Sequence, residues 1–463
     1  MKDSSKRANF AYVFERFPSF TQTFCAREVE SMLRLGVNLE ILSIRDTREE
    51  KQIDQFPSDL LESVRFLPEE EVLVETVNEW KKNDELPQEA VLTLRHWGRE
   101  PDKRRIYEAI YVGRTLQQLG VRHAHTHFAG VGARTCWWME QFFGISYSFT
   151  GHANDIFERT DFEVSLEKLV EDAAVVATVS EYTADYLKDR FPRHGLKVHR
   201  AYNGIDLESL SAAPSKTKGD LDPPKILSVG RLIEKKGFDD LVTACAMLRD
   251  RQIRFQCKIV GDGPLQEELE AAISEYEVGD CVRLVGPKSQ EEIKKMLHES
   301  SVFALPCVTE KAGGKDNLPT VIMEAMAARL PCVSTKLAGV PEMVEHEVTG
   351  FLAEERQPEK IADYLAQLLN DAELAKKMGE AGYARAEKLF SLEKTSTRLL
   401  HLLWSRGSVR FDLKLVSQIP SLLPATLRQW MFRFCRRFHR RSPSRFVLAE
   451  MEAKRRRKAS QVG

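Results

Sequence analysis

The chain has 463 residues, room for two large domains or about three smaller ones, and its 43% hydrophobic, 30% charged and 9% aromatic residues fall in the ordinary globular range. That argues against wholesale disorder and collagen-like repeats, and eight scattered cysteines with no C-x-x-C pair indicate neither a disulfide framework nor a zinc module. The net charge of −1 conceals an asymmetry: residues 405–463 carry 15 Lys and Arg against Asp412, Glu450 and Glu452, a net of +12, which leaves −13 on the other 404 residues.

In chain order, FAYVF, LEILSI, AHTHF, SYSFT, VVATVS and KVHRAY read as strands, interleaved with helical runs such as TFCAREVESMLRLG and SEYTADYLKDRF. They predict one doubly wound domain over residues 1–205. The segment SLSAAPSKTKGDLDPP, rich in Ser, Pro and Gly, predicts a linker at 206–224. From Lys225 the alternation is regular: KILSVG, FQCKIVG, CVRLVG, SVFALP, PCVST and GFLA each precede an amphipathic stretch of helical length. Nearly continuous apolar strands in β-α alternation predict a parallel sheet covered on both faces, over 225–390. Two further helices follow, ELAKKMGEAGYARAEKLF and SLEKTSTRLLHLLW. No apolar run approaches the ~18 residues of a spanning helix and the start lacks a secretory apolar region, so the expectation is a cytoplasmic chain without a transmembrane span.

Three clusters carry chemistry. In KAGGKDNLPTVIMEAMAARLP a polar loop with Asp316, Asn317 and Leu318 runs into Pro319, which suits a helix start, and Glu324 is the sole charge between Leu318 and Ala328. A carboxylate on so apolar a helix is costly to bury unless hydrogen-bonded, and the hydroxyls of a ligand lying over the helix would serve. In SVGRLIEKKGFDDLV, Arg231 and Lys236 stand past a strand end and before a helix that opens at Gly237, an arrangement suited to a diphosphate. In SFTGHANDIF, His152 follows a buried strand at the carboxyl edge where open α/β sheets place ligands; the alternative is a structural His that caps a helix or bonds Asp155. His127 ends an H-x-H-x-H strand and either lines a cleft or packs there. Two patterns are decoys: Asp220-Leu221-Asp222 is a D-x-D followed by two prolines in the linker, and the GDGP at Gly261 is a turn without a full dinucleotide fingerprint.

Acidic-x7-acidic before EAMA, followed by PCVST and GVPE, resembles the signature of retaining GT-B glycosyltransferases of family 4, with Asp316 where the family usually has Glu. FERFPSFTQTF, HAHTHFAGVGA, SFTGHANDIF and VATVSEYT, in this order, resemble the exopolysaccharide, colanic-acid-type subgroup, and the likeness spans roughly residues 10–400. The resemblance implies an α/β GT-B fold: two Rossmann-like doubly wound parallel-sheet domains facing a central cleft, with a crossover helix at 391–410 returning to the first domain. It implies a hexosyltransferase that uses a nucleotide-diphosphate sugar and retains the anomeric configuration, with a saccharide or lipid-linked oligosaccharide as acceptor. It assigns His152 and Asp316 to the reaction centre, and Arg231, Lys236, Glu324, Asn317, Leu318 and Pro319 to the donor. Ser19, Thr21, Thr23 and His127 fall to an acceptor or phosphate loop. No metal or other cofactor is expected, because the two cations would neutralise the leaving diphosphate. The rivals are a GT-B epimerase or hydrolase and a non-catalytic sugar-nucleotide binder.

The tail, 411–463, places Leu427, Trp430, Met431, Phe434 and Phe438 on one helical face among arginines. That pattern suits an anionic membrane surface and a peripheral location at the inner face of the plasma membrane. Docking of the tail on the acidic body is the alternative, and a nucleic-acid partner is not expected.

Overall fold

The computed structural model describes residues 10–50, 53–97, 100–158, 162–211 and 222–405. Seven strands form a first sheet: β1 (Phe10–Arg16), β2 (Leu39–Arg45), β3 (Val64–Phe66), β4 (His123–His127), β5 (Ser146–Gly151), β6 (Val175–Thr178) and β7 (Val198–Arg200). Their order is β3-β2-β1-β4-β5-β6-β7. Six form a second sheet: β8 (Lys225–Val229), β9 (Gln256–Val260), β10 (Val282–Leu284), β11 (Val302–Leu305), β12 (Cys332–Thr335) and β13 (Gly350–Ala353), in the order β10-β9-β8-β11-β12-β13. Pairing is parallel, β1 with both β2 and β4, β8 with both β9 and β11.

Every residue of β4, β6, β11, β12 and β13 is buried, as expected of parallel strands covered by helices on both faces. β3 escaped the sequence pattern because three residues show no period; it exists through its pairing with β2, Ile41 opposite Val64. In both sheets the strand order reverses once, between β1 and β4 and between β8 and β11. At such a reversal the flanking loops leave to opposite faces and open a crevice at the carboxyl ends of the strands.

By compactness the chain forms two units. One takes the described residues up to Phe149 with Glu171–Val176 and those from Ser396; the other takes Thr150–Val170 and Ala177–Thr395. His152 therefore groups with the second unit. In that unit Ile205 donates its N–H to the Phe390 carbonyl at 2.9 Å and accepts from Leu392 N–H at 3.1 Å. Gly204 lies so close that a Cβ there would stand 2.6 Å from the Leu392 Cα. The last described helix runs Leu392–Ser405, and no helix of the described residues is long and apolar enough to cross a membrane. The linker's Asp220 and the whole basic tail lie outside the described residues.

Candidate active site

The second sheet's reversal brings two loops together. The loop after β8 carries Arg231, on the surface, and Lys236, partly buried. It ends at Gly237 with φ +64°, and a Cβ there would meet the Pro306 carbonyl oxygen at 1.9 Å. Only glycine fits this approach, which seats the helix Phe238–Asp250 against the loop after β11. That second loop presents Asp316, whose carboxylate accepts a hydrogen bond from Lys236 Nζ in a partly buried ion pair. Burial works against the Lys236 charge, but Asp316 outweighs it and holds the ammonium above its ordinary pKa. The site thus holds a lysine fixed in its charged form beside an exposed arginine, at the crevice where a parallel sheet binds anions. GDGP is a turn, as its sequence indicates: Leu232 N–H donates to the Asp262 carbonyl at 2.7 Å, and a Cβ on Gly261 would stand 1.9 Å from the Gly230 oxygen.

Asn317, 1% exposed, is a junction. Its amide nitrogen donates to the His152 carbonyl at 2.6 Å and to Thr183 Oγ1 at 2.7 Å, and its amide oxygen accepts from Ser180 Oγ at 2.7 Å. Its own carbonyl accepts from Gly339 N–H at 2.9 Å. The residue therefore ties the β11 loop to the segment after β5 and to the start of the helix Glu181–Arg190. Asp155 holds the same segment from the other side, accepting from the backbone N–H groups of His152 and Ala153 at 3.1 and 2.8 Å. Of the alternatives for His152, the bond to Asp155 is thus made by its backbone. Lys235 Nζ adds a bond to Asn154 Oδ1 at 3.0 Å. The structure brings the His152 segment, Lys236, Asp316 and Asn317 together.

Pro319 is the N-cap of a short helix, Thr320–Ala327, and Leu318 and Pro319 are both buried. Glu324 sits in that helix at 5% exposure, the buried carboxylate its apolar neighbours foretold. Glu342, the last residue of the GVPE quoted above, carried a family resemblance in the sequence but no sign of its partners. Its carboxylate accepts from the N–H groups of Glu181 at 2.8 Å and Tyr182 at 2.9 Å and from Tyr202 Oη at 2.9 Å. These partners lie about 140–160 residues away, beyond the reach of local pattern.

In the first unit, Ser19 immediately precedes a 3-10 turn, Phe20–Gln22, that contains Thr21. Thr23 opens the helix Thr23–Arg34 and accepts from Arg27 at 3.0 Å. His127 is buried and packs beneath that helix, its Nε2 3.0 Å from Glu28 Oε1. Tyr12 Oη donates to the same Glu28 oxygen at 2.5 Å. His127 is thus packed within a polar cluster. Glu28 and Tyr12 gave no signal beyond helical and strand periodicity.

The Glycosyltransferase Family 4 domain matches residues 64–209 and the Glycosyl transferases group 1 domain matches residues 212–385. The chain is 43% identical over 146 residues to the amylovoran biosynthesis glycosyltransferase AmsK of Erwinia amylovora, covering 32% of this chain and 36% of AmsK. It is 37% identical over 175 residues to the putative colanic acid biosynthesis glycosyltransferase WcaL of Escherichia coli, covering 38% and 42%. It spans well under half the length of either relative. In fold it is similar to HepE of Anabaena, solved in complex with UDP, at a TM-score of 0.64 and 17% identity over 86% of this chain and all of that one. With both domains matched in order and two parallel sheets of this topology, the chain belongs to the GT-B glycosyltransferases, a family 4 domain followed by a group 1 domain.

Proposed function

We propose that the protein is a glycosyltransferase of exopolysaccharide biosynthesis that moves a hexose from a nucleotide-diphosphate sugar to a saccharide acceptor, lipid-linked, with retention of configuration. The observation that carries this reading is the ion pair Lys236–Asp316 beside Arg231, at the reversal of the second sheet. When the bond from the sugar's anomeric carbon to the diphosphate breaks, negative charge grows on the departing oxygen. A pre-fixed ammonium and a guanidinium there need no reorganisation to stabilise it. Glu324, by resemblance, takes the ribose hydroxyls. Asn317 and Asp155 fix the backbone at His152, the residue assigned by resemblance to the reaction centre, so its position does not depend on ligand. The likeness to AmsK and WcaL, named for amylovoran and colanic acid biosynthesis, and to HepE, titled with UDP, supports donor and pathway class. The basic tail supports a peripheral site at an anionic membrane, where a lipid-linked acceptor resides.

The test is a thermal-shift panel of nucleotide sugars followed by nucleotide-diphosphate release in the presence of lipid-linked acceptor extracts. One donor is expected to raise the melting temperature, by about 2.7 kcal/mol of stabilisation at a hundredfold excess over Kd. Its turnover is expected to be indifferent to added magnesium or manganese. No stabilising donor and no release would remove the proposal.

A further inference from the structure

Beneath the helix Thr23–Arg34, on one face of the first sheet, lies a polar cluster that the donor chemistry does not use. His125 and His127 stand two residues apart on β4, and so on the same face of the sheet. Glu28 reaches them from the helix. One donor atom from each of Glu28, His125 and His127 can be chosen so that all three lie within 4.8 Å of one another. Two imidazoles and a carboxylate are the ligand set of open zinc sites, where ligand atoms stand about 2.0–2.2 Å from the metal and hence roughly 3.3–3.6 Å apart. His127 Nε2 and Glu28 Oε1, at 3.0 Å, are already near that spacing.

We infer that Glu28, His125 and His127 form a binding site for a divalent transition ion of the zinc class. The surroundings match what such ligands need. His125 Nδ1 lies 2.7 Å from Ser148 Oγ, which orients the ring, and Tyr12 Oη donates to the Glu28 carboxylate. Such outer contacts are what hold metal-bound imidazole and carboxylate groups in place. Ser148 is itself bonded at 2.8 Å by His123 Nε2, so the outer layer is anchored in the core. Tyr12 lies opposite His125 in the β1/β4 register, which fixes the cluster at the first sheet's reversal. From a mutual separation of at most 4.8 Å, the ligand atoms reach the spacing above by a relative shift of no more than about 1.5 Å. Without an ion, His127 Nε2 and Glu28 Oε1 satisfy one another at 3.0 Å. The site is independent of the donor-binding reading, since none of its residues belongs to the donor loops.

Full-length protein, dialysed against a chelator and then desalted, would be titrated with Co²⁺ and Zn²⁺ in the absence of any sugar nucleotide. One equivalent is expected, with visible d–d absorption of bound Co²⁺ that Zn²⁺ bleaches, and a rise in melting temperature with Zn²⁺. Glu28→Gln keeps the hydrogen bonds to Tyr12 and His127 but weakens the ligand; it is expected to lower zinc affinity by at least about tenfold and to lose the thermal shift. His125→Asn is the second variant, read by equilibrium metal content, should Glu28→Gln fold poorly. His96→Asn, an exposed histidine outside the cluster, is expected to bind as wild type. Absence of Co²⁺ absorption in the wild type, or equal metal content in wild type and both cluster variants, would overturn the inference and leave the cluster a metal-free polar network.

Discussion

At the scale of single residues, the proposed donor roles separate binding from turnover. Glu324 is buried on a helix and Arg231 is exposed at a strand end, so their loss acts on different steps. Glu324→Ala is expected mainly to raise the donor KM, because the proposed ribose contact would be made equally in the ground and transition states. Arg231→Ala is expected to lower kcat by about 2–4 kcal/mol of barrier, because leaving-group charge grows only in the transition state. Steady-state kinetics on both variants checks the division, and wild-type values in both would mean the donor lies elsewhere. Asp240 gives a stability prediction of the same grain. It stands in the first turn of the helix Phe238–Asp250, where the dipole favours a carboxylate by ~0.3–1 kcal/mol. Yet its Oδ2 is buried with no hydrogen-bond partner among the described residues, and Arg356 approaches no closer than 3.9 Å. Burial, and next the charge of Asp239, push its pKa up from 3.8 to about 6. The folded state therefore holds a proton that the unfolded state releases near pH 4, and stability falls as pH rises from about 4 through 6. Asp240→Asn is expected to stabilise by about 1–2 kcal/mol at pH 7.5 and to lose most of that advantage by pH 4.5, read by urea denaturation at the two pH values.

At the scale of elements, the helix Glu181–Arg190 shows what local sequence does and does not disclose. Its N-cap, Ser180, opens the run SEYTADYLKDRF read as helical, and its hydroxyl accepts from Thr183 N–H at 3.0 Å. The next two free amides, of Glu181 and Tyr182, are satisfied by Glu342 from the short helix Val340–Met343. Glu342→Ala is expected to cost about 1–2 kcal/mol in chemical denaturation, and Glu342→Gln less, because an amide oxygen still accepts but carries no charge for the dipole. Equal stability of all three proteins would show that water replaces the carboxylate without loss. The same division runs through the molecule. The strands from Lys225 onward were legible because each is a continuous apolar run flanked by polar loops, and the burial of Glu324 was legible from its neighbours. Asn317 was legible as a loop residue beside the donor signature but not as a junction, since its partners His152, Ser180 and Thr183 approach only through the tertiary fold. His127 was read as one of a row of histidines. What the row lacked was Glu28, whose helix covers β4 from a hundred residues earlier. The three-residue β3 was hidden because an edge strand that short is defined by its neighbour and not by its own pattern.

At the scale of the whole molecule, the remaining asymmetry is electrostatic. The acidic body and the +12 tail would attract one another, or the tail would be drawn to an anionic surface, and the two outcomes respond differently to removal of residues 417–463. Every residue assigned to the donor lies before Glu342 and the last described helix ends at Ser405, so the truncated enzyme is expected to keep donor binding and transfer to a soluble acceptor analogue. It is expected to lose binding to phosphatidylserine-containing liposomes, where each Lys or Arg near the surface contributes ~1 kcal/mol. Full-length protein is expected to release only partly as salt rises: ions screen the basic residues, but insertion of Trp430, Phe434 and Phe438 is apolar and unscreened. Liposome co-sedimentation across a salt series separates the cases. Equal binding by full-length and truncated protein would exclude the tail as the membrane element, and a truncated protein that unfolds would mean that the tail is a packed part of the acidic body.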